Sequence, residues 1–108
     1  MYFYERGSMQ EHQQVGGGLR YVARGERMMM LLLELPPGAT VPAHSHPHEQ
    51  LGIVIEGEFE LTIGDERRRM KAGDMYIIPG GVPHQAKGSD KKAVFFDVWS
   101  PPREALLD

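Results

Sequence analysis

The 108-residue sequence contains no cysteine. That excludes a disulfide framework, a thiol nucleophile and thiolate ligation of a metal. Nor is there a surplus of positive charge. Twelve Lys and Arg against fifteen Asp and Glu leave a net charge of −3, so neither nucleic acid nor an anionic membrane is expected as a partner. The one basic run, Arg67–Arg69, follows Asp65 and Glu66 and reads as a solvated strand face. Long apolar segments are missing too. Met28–Leu33 is the longest, far short of the roughly 20 residues that span a bilayer. The opening MYFYERGSMQ does not join a basic segment to an apolar one. No secretory leader is therefore expected, and a cytoplasmic location is. Helical periodicity is also scarce; only PREALL, Pro102–Leu107, could form a helical turn or two.

What remains is a series of short apolar segments separated by turn-forming residues. Strands are expected over Arg27–Leu35, Gln50–Glu56, Glu58–Ile63, Arg67–Lys71, Met75–Ile78 and Ala93–Ser100. PPGATVP, Gly57, GDE, AGD, PGGVP and KGSDKK lie between them as turns or connections. Residues 7–18, with Gly16–Gly18, read as a loop behind an N-terminal arm. This spacing points to an all-β sandwich or barrel in one domain. Two segments, RMMMLLLEL and LGIVI, are apolar at odd and even positions alike. A half-solvated strand would alternate, so the arm or a second subunit must cover the outer face. A homodimer is expected.

The chemistry concentrates in AHSHPHEQ, Ala43–Gln50, which holds three of the five histidines. Residues two apart on a strand share a face, so His44 and His46 can reach one metal ion. Gln50 has the same parity, whereas Glu49 points the other way. His48 follows Pro47, which interrupts the strand, and is expected at the rim of a pocket. His84 comes after PGGVP, whose prolines and glycines fix its presentation.

Written out, Gly38-x5-His44-x-His46-x3-Gln50-x6-Gly57 and Gly73-x5-Pro79-x-Gly81-x2-His84 resemble the paired motifs of the cupin superfamily. Gln50 stands where glutamate is usual, and Gly88 where a late asparagine is usual. The resemblance implies a small single-domain cupin over residues 1–108, a double-stranded β-helix or jelly-roll barrel. Motifs occupy 38–57 and 73–88, and an N-terminal arm 1–18. It implies one divalent metal ion, with nickel, zinc, manganese, iron and copper all open, held by His44, His46, Gln50 and His84. A neutral amide in place of a carboxylate leaves the ion its full charge, which suits a Lewis acid over an oxygen-activating centre.

A second polar set lies in AVFFDVWSPPRE. Phe95, Asp97 and Trp99 share one strand face. Inside a barrel Asp97 would be a carboxyl with a raised pKa, serving as a general acid or base or held in a structural hydrogen bond. Arg103, stiffened by two prolines, could clamp a carboxylate, or be solvated or paired with Glu104. HSHPHEQLG, IPGGVPH and DVWSPPRE together resemble the KdgF group of cupins, in which phenylalanine is common at the Trp99 position. That group converts 4,5-unsaturated uronates to linear 5-keto-4-deoxyuronates. The resemblance implies a sugar-acid substrate, with Asp97, Trp99 and Arg103 as catalytic and substrate-contacting residues and His48 at the substrate rim. A metal-dependent dioxygenase and a non-catalytic small-molecule binder are the competing readings.

Overall fold

Ladders in this chain follow the alternation of its apolar residues. The computed structural model describes residues 2–107, without the side chain of Leu107. Its strands are β1 (His12–Gln13), β2 (Leu19–Arg24), β3 (Met29–Leu35), β4 (Thr40–His44), β5 (Glu49–Glu56), β6 (Glu58–Ile63), β7 (Glu66–Lys71), β8 (Met75–Ile78), β9 (His84–Gly88) and β10 (Ala93–Ser100). They form two antiparallel sheets in the orders β1-β2-β3-β10-β5-β8 and β4-β9-β6-β7, packed face to face as a jelly-roll barrel. Among the described residues no helix is long and apolar enough to cross a membrane.

Met29, Leu31, Leu33 and Leu35 of β3 turn inward, with Val54, Phe59, Leu61, Ile78 and Phe95 opposite or beside them. Fully burying side chains of this kind contributes roughly 1.5–3 kcal/mol each. Phe59 and Phe95 stack across the two sheets, with ring centroids 4.6 Å apart. Only one residue, Gly57, joins β5 to β6. It has φ +74°, and a Cβ there would overlap the carbonyl of Lys92.

Four strands, β1, β2, β4 and β9, escaped the sequence pattern. β2 carries Arg20 inward, where its guanidinium donates to the carbonyls of Gln13 and Leu106, so its apolar alternation is broken. β4 contains Pro42, tolerated because β4 is an edge strand whose pairing with β9 shifts between Val41 and His44. β9 is polar, burying only His84 and Ala86. Residues 7–18 are not a plain loop: Arg6–Ser8 form a 3-10 turn and His12–Gln13 pair with β2. Arg6 pairs with Glu34 and lies over the Tyr21 ring, 4.8 Å from its centroid. The arm is thereby tied to the outer face of the larger sheet. Tyr4 and Met9 bound a cleft there against Tyr21, Met30, Leu32 and Phe96. The rest of that face, at Leu51, Ile55, Met75 and Ile77, is exposed. At the far end PREALL closes into a 3-10 turn, Glu104–Leu107.

Candidate metal centre

His44 ends β4 and His84 begins β9, and the two are register partners. The bend after β4 folds His46 back beside them, and Gln50 projects inward from β5. The ring centroids of His44, His46 and His84 lie 4.2–5.7 Å apart, and their donor nitrogens all fall within 4.8 Å of one another.

Backbone carbonyls set how these rings face. Nδ1 of His44 lies 2.8 Å from the Pro42 oxygen, that of His46 3.1 Å from the His48 oxygen, and that of His84 2.9 Å from the Val82 oxygen. With each Nδ1–H donating outward, each Nε2 keeps its lone pair for the centre. Nε2 of His84 is buried with no protein partner. Nε2 of His46 sits 3.1 Å from Gln50 Oε1, which itself accepts from the Trp99 indole N–H at 2.9 Å. Either neutral tautomer of His46 therefore leaves one contact between two acceptors. A second proton would relieve it, but burial, Arg103 and the neighbouring imidazoles push the His46 pKa down to about 4. Burial likewise lowers that of His84. A divalent cation removes the conflict without a proton, so three imidazoles and an amide oxygen fit such an ion.

His48 sits beside this set rather than in it. Its ring is part-buried, 5.4 Å from that of His46, and its contribution to the centre is the carbonyl that orients His46. Glu49 is exposed, opposite Ser100.

Deeper in the barrel, Asp97 on β10, Gly52 on β5 and Tyr76 on β8 form one row across three strands. The Tyr76 hydroxyl donates to Asp97 Oδ1. A Cβ at Gly52 would overlap both groups, so glycine is what lets the phenol reach across. Burial raises the Asp97 carboxyl to about 7, against the downward pull of hydrogen bonds from Tyr76 and Gln50 and of the Arg103 charge. Burial and Asp97 hold the Tyr76 hydroxyl well above its usual range. Sequence reasoning missed Tyr76; its one signal was the gap that Gly52 makes in LGIVI.

Arg103 is part-buried, its guanidinium 5.3 Å from the Trp99 ring centroid, and its backbone N–H contacts Met29 Sδ at 3.1 Å. Glu104 does not pair with it: that carboxylate takes Arg24. One cavity is bounded by His44, His84, Gln50, Asp97, Trp99 and Arg103. Two of the clustered histidines, Gln50, a carboxyl of raised pKa and a guanidinium thus face a common space.

The Cupin_2 family model, a cupin domain, matches residues 31–99. The chain is a cupin. Among its relatives, the cupin is 38% identical over 71 residues to the H2HPP isomerase of Bacillus subtilis, covering 64% of this chain but only 30% of that protein. It is 29% identical over 98 residues to the pectin degradation protein KdgF of Dickeya dadantii, covering 88% of this chain and 89% of that one. Among solved structures, an RmlC-like cupin from Shewanella frigidimarina superposes with a TM-score of 0.91 at 26% identity, covering 98% and 96% of the two chains. KdgF from a Halomonas species does so with 0.88 at 26% identity, covering 98% of each.

Proposed function

We propose that this cupin binds one divalent metal ion through His44, His46, Gln50 and His84 and opens the ring of a 4,5-unsaturated uronate. The observation that carries this reading is Asp97, buried, with a carboxyl raised to about 7, on the same cavity as His44, His84 and Arg103. Similarity to KdgF along nearly the whole chain and the isomerase name of a second relative favour a redox-neutral reaction.

Arg103 takes the carboxylate of the sugar acid, and the Trp99 indole beneath it forms one wall of the site. A bound divalent metal supplies Lewis-acid charge to substrate oxygens. Asp97, protonated below about 7, gives its proton to the alkene carbon of the enol ether. Water adds to the neighbouring carbon and its proton returns to Asp97. The hemiketal then opens by breaking that carbon's bond to the ring oxygen, and the C1 hydrate so formed releases one water to give the linear 5-keto-4-deoxyuronate. His48, whose ring packs 5.4 Å from that of His46, is the residue this reading assigns to a substrate hydroxyl at the rim. The test is an assay on unsaturated galacturonate and its alginate counterpart, following loss of their ultraviolet absorbance with nickel, zinc, manganese, iron or copper supplied. Asp97→Asn should lose at least 100-fold in rate, within the range of general acid catalysis, and still bind metal; full activity in that variant sinks the assignment.

The working unit in this reading is a homodimer, with the uncovered part of the larger sheet as its interface.

A further inference from the structure

Trp99 does more than wall the cavity. Trp99 and Gln50 are register partners on β10 and β5, and both side chains are buried. The indole N–H has one acceptor, Gln50 Oε1 at 2.9 Å. An amide is nearly symmetric in shape but not in chemistry: its oxygen can ligate a cation, and its NH2 cannot. Turned the other way, Gln50 would set its NH2 against His46 Nε2 and oppose it to the indole N–H. The buried Asp97 carboxyl, which takes a hydrogen bond from Gln50, holds the opposite end of the same amide.

We propose that Trp99 is a positioning residue for the metal centre: its indole N–H fixes the Gln50 amide so that the oxygen, not the nitrogen, is offered to the ion. A phenylalanine would fill the same space without this control. A glutamate ligand would not need it, because both ends of a carboxylate bind a cation. The device belongs with the glutamine, and it rests on the metal centre alone, whatever reaction the cavity performs.

A double-mutant cycle on metal affinity tests it, because a residue that acts through another loses its effect once that other is gone. Nickel and zinc affinities are measured by chelator competition for the native protein, Trp99→Phe, Gln50→Ala and the double variant. Unfolding midpoints of the metal-free proteins show that each is folded. Trp99→Phe should cost about tenfold in affinity in the native background, as loss of an outer-shell partner does, and less than about twofold when Gln50 is already alanine. Equal losses in both backgrounds would mean that the indole serves packing only, and no loss in the native background would mean that the amide needs no lock; either overturns the proposal. A second measurement needs no variant. The chain has a single tryptophan, so its indole N–H gives one proton resonance. That resonance should move when stoichiometric zinc is added, and an unmoved resonance in zinc-loaded protein overturns the proposal as well.

Discussion

Gly52 has no side chain, and the Tyr76–Asp97 pair exists because of that. A Cβ at this position would overlap the phenol ring and Asp97 Oδ1. Both are held in strands of a packed sheet, so neither can simply swing aside. Gly52→Ala should therefore destabilise the protein by about 1–3 kcal/mol, the usual cost of overpacking, as read from denaturant midpoints. A midpoint equal to that of the native protein would show that the row tolerates a methyl group. His84 makes the complementary prediction. Its Nε2 is buried without a protein partner, so His84→Ala should remove a ligand while breaking no protein hydrogen bond at that atom. The metal-free variant should stay folded. It should lose the stabilisation that bound metal confers, about 2.7 kcal/mol at a hundredfold excess over the dissociation constant. Elemental analysis that still found stoichiometric metal in this variant would refute the ligand set. At this scale the sequence was informative where chemistry follows local spacing, as with His44, His46, Gln50 and the turn before His84. It was silent where function depends on which strands lie side by side. The Trp99–Gln50 bond and the Tyr76–Asp97 pair join residues 49 and 21 positions apart, and no local pattern encodes such partners.

Strands became legible in proportion to how plainly their apolar residues alternate or cluster. β3, β5, β6, β7, β8 and β10 announce themselves between glycine and proline punctuation. β2, β4 and β9 do not, because each spends inward positions on something other than a hydrocarbon. Arg20 caps backbone carbonyls from β2, and His44 and His84 face the centre from β4 and β9. These elements are held by position in the sheet rather than by their own pattern. β10 is the opposite case. It pairs with β3 over seven residues and with β5 across its other edge, and it carries Phe95, Asp97 and Trp99 inward. Amide exchange should consequently be slowest in β10, at rates governed by global unfolding. β1, two residues long with a single neighbour, should exchange by local opening orders of magnitude faster. Exchange in β10 as fast as in β1 would contradict the central place assigned to it, and with it the rigidity on which the site geometry depends.

For the whole molecule, the uncovered part of the larger sheet carries the last prediction. The N-terminal arm lies over the β2–β3 end of that face and stops there, leaving β5 and β8 bare. Met75 and Ile77 are 73% and 64% exposed, with Leu51 and Ile55 about half exposed beside them. Tyr2 and Phe3 at the tip of the arm are also exposed, so arm and bare strands together present apolar surface of one kind. A contiguous apolar face of this sort marks an interaction surface, and a second copy offers the same face by two-fold symmetry. A standard interface needs about 800 Å² from each partner, roughly an eighth of the 6767 Å² that this chain exposes. Light scattering should accordingly report twice the 12.2 kDa chain mass at micromolar concentration. Replacing Met75 and Ile77 together by lysine puts like charges across the two-fold axis and should return the protein to a monomer. The candidate metal centre faces the barrel interior, on the opposite side of β5, so its zinc affinity should survive dissociation within about twofold if the site is built from one chain. A native protein that scatters as a monomer at 100 µM, about a hundredfold above the micromolar range expected of a specific interface, would refute the homodimer and leave the apolar face for some other occupant. A lysine variant that is monomeric but no longer binds zinc would show that the partner subunit shapes the centre.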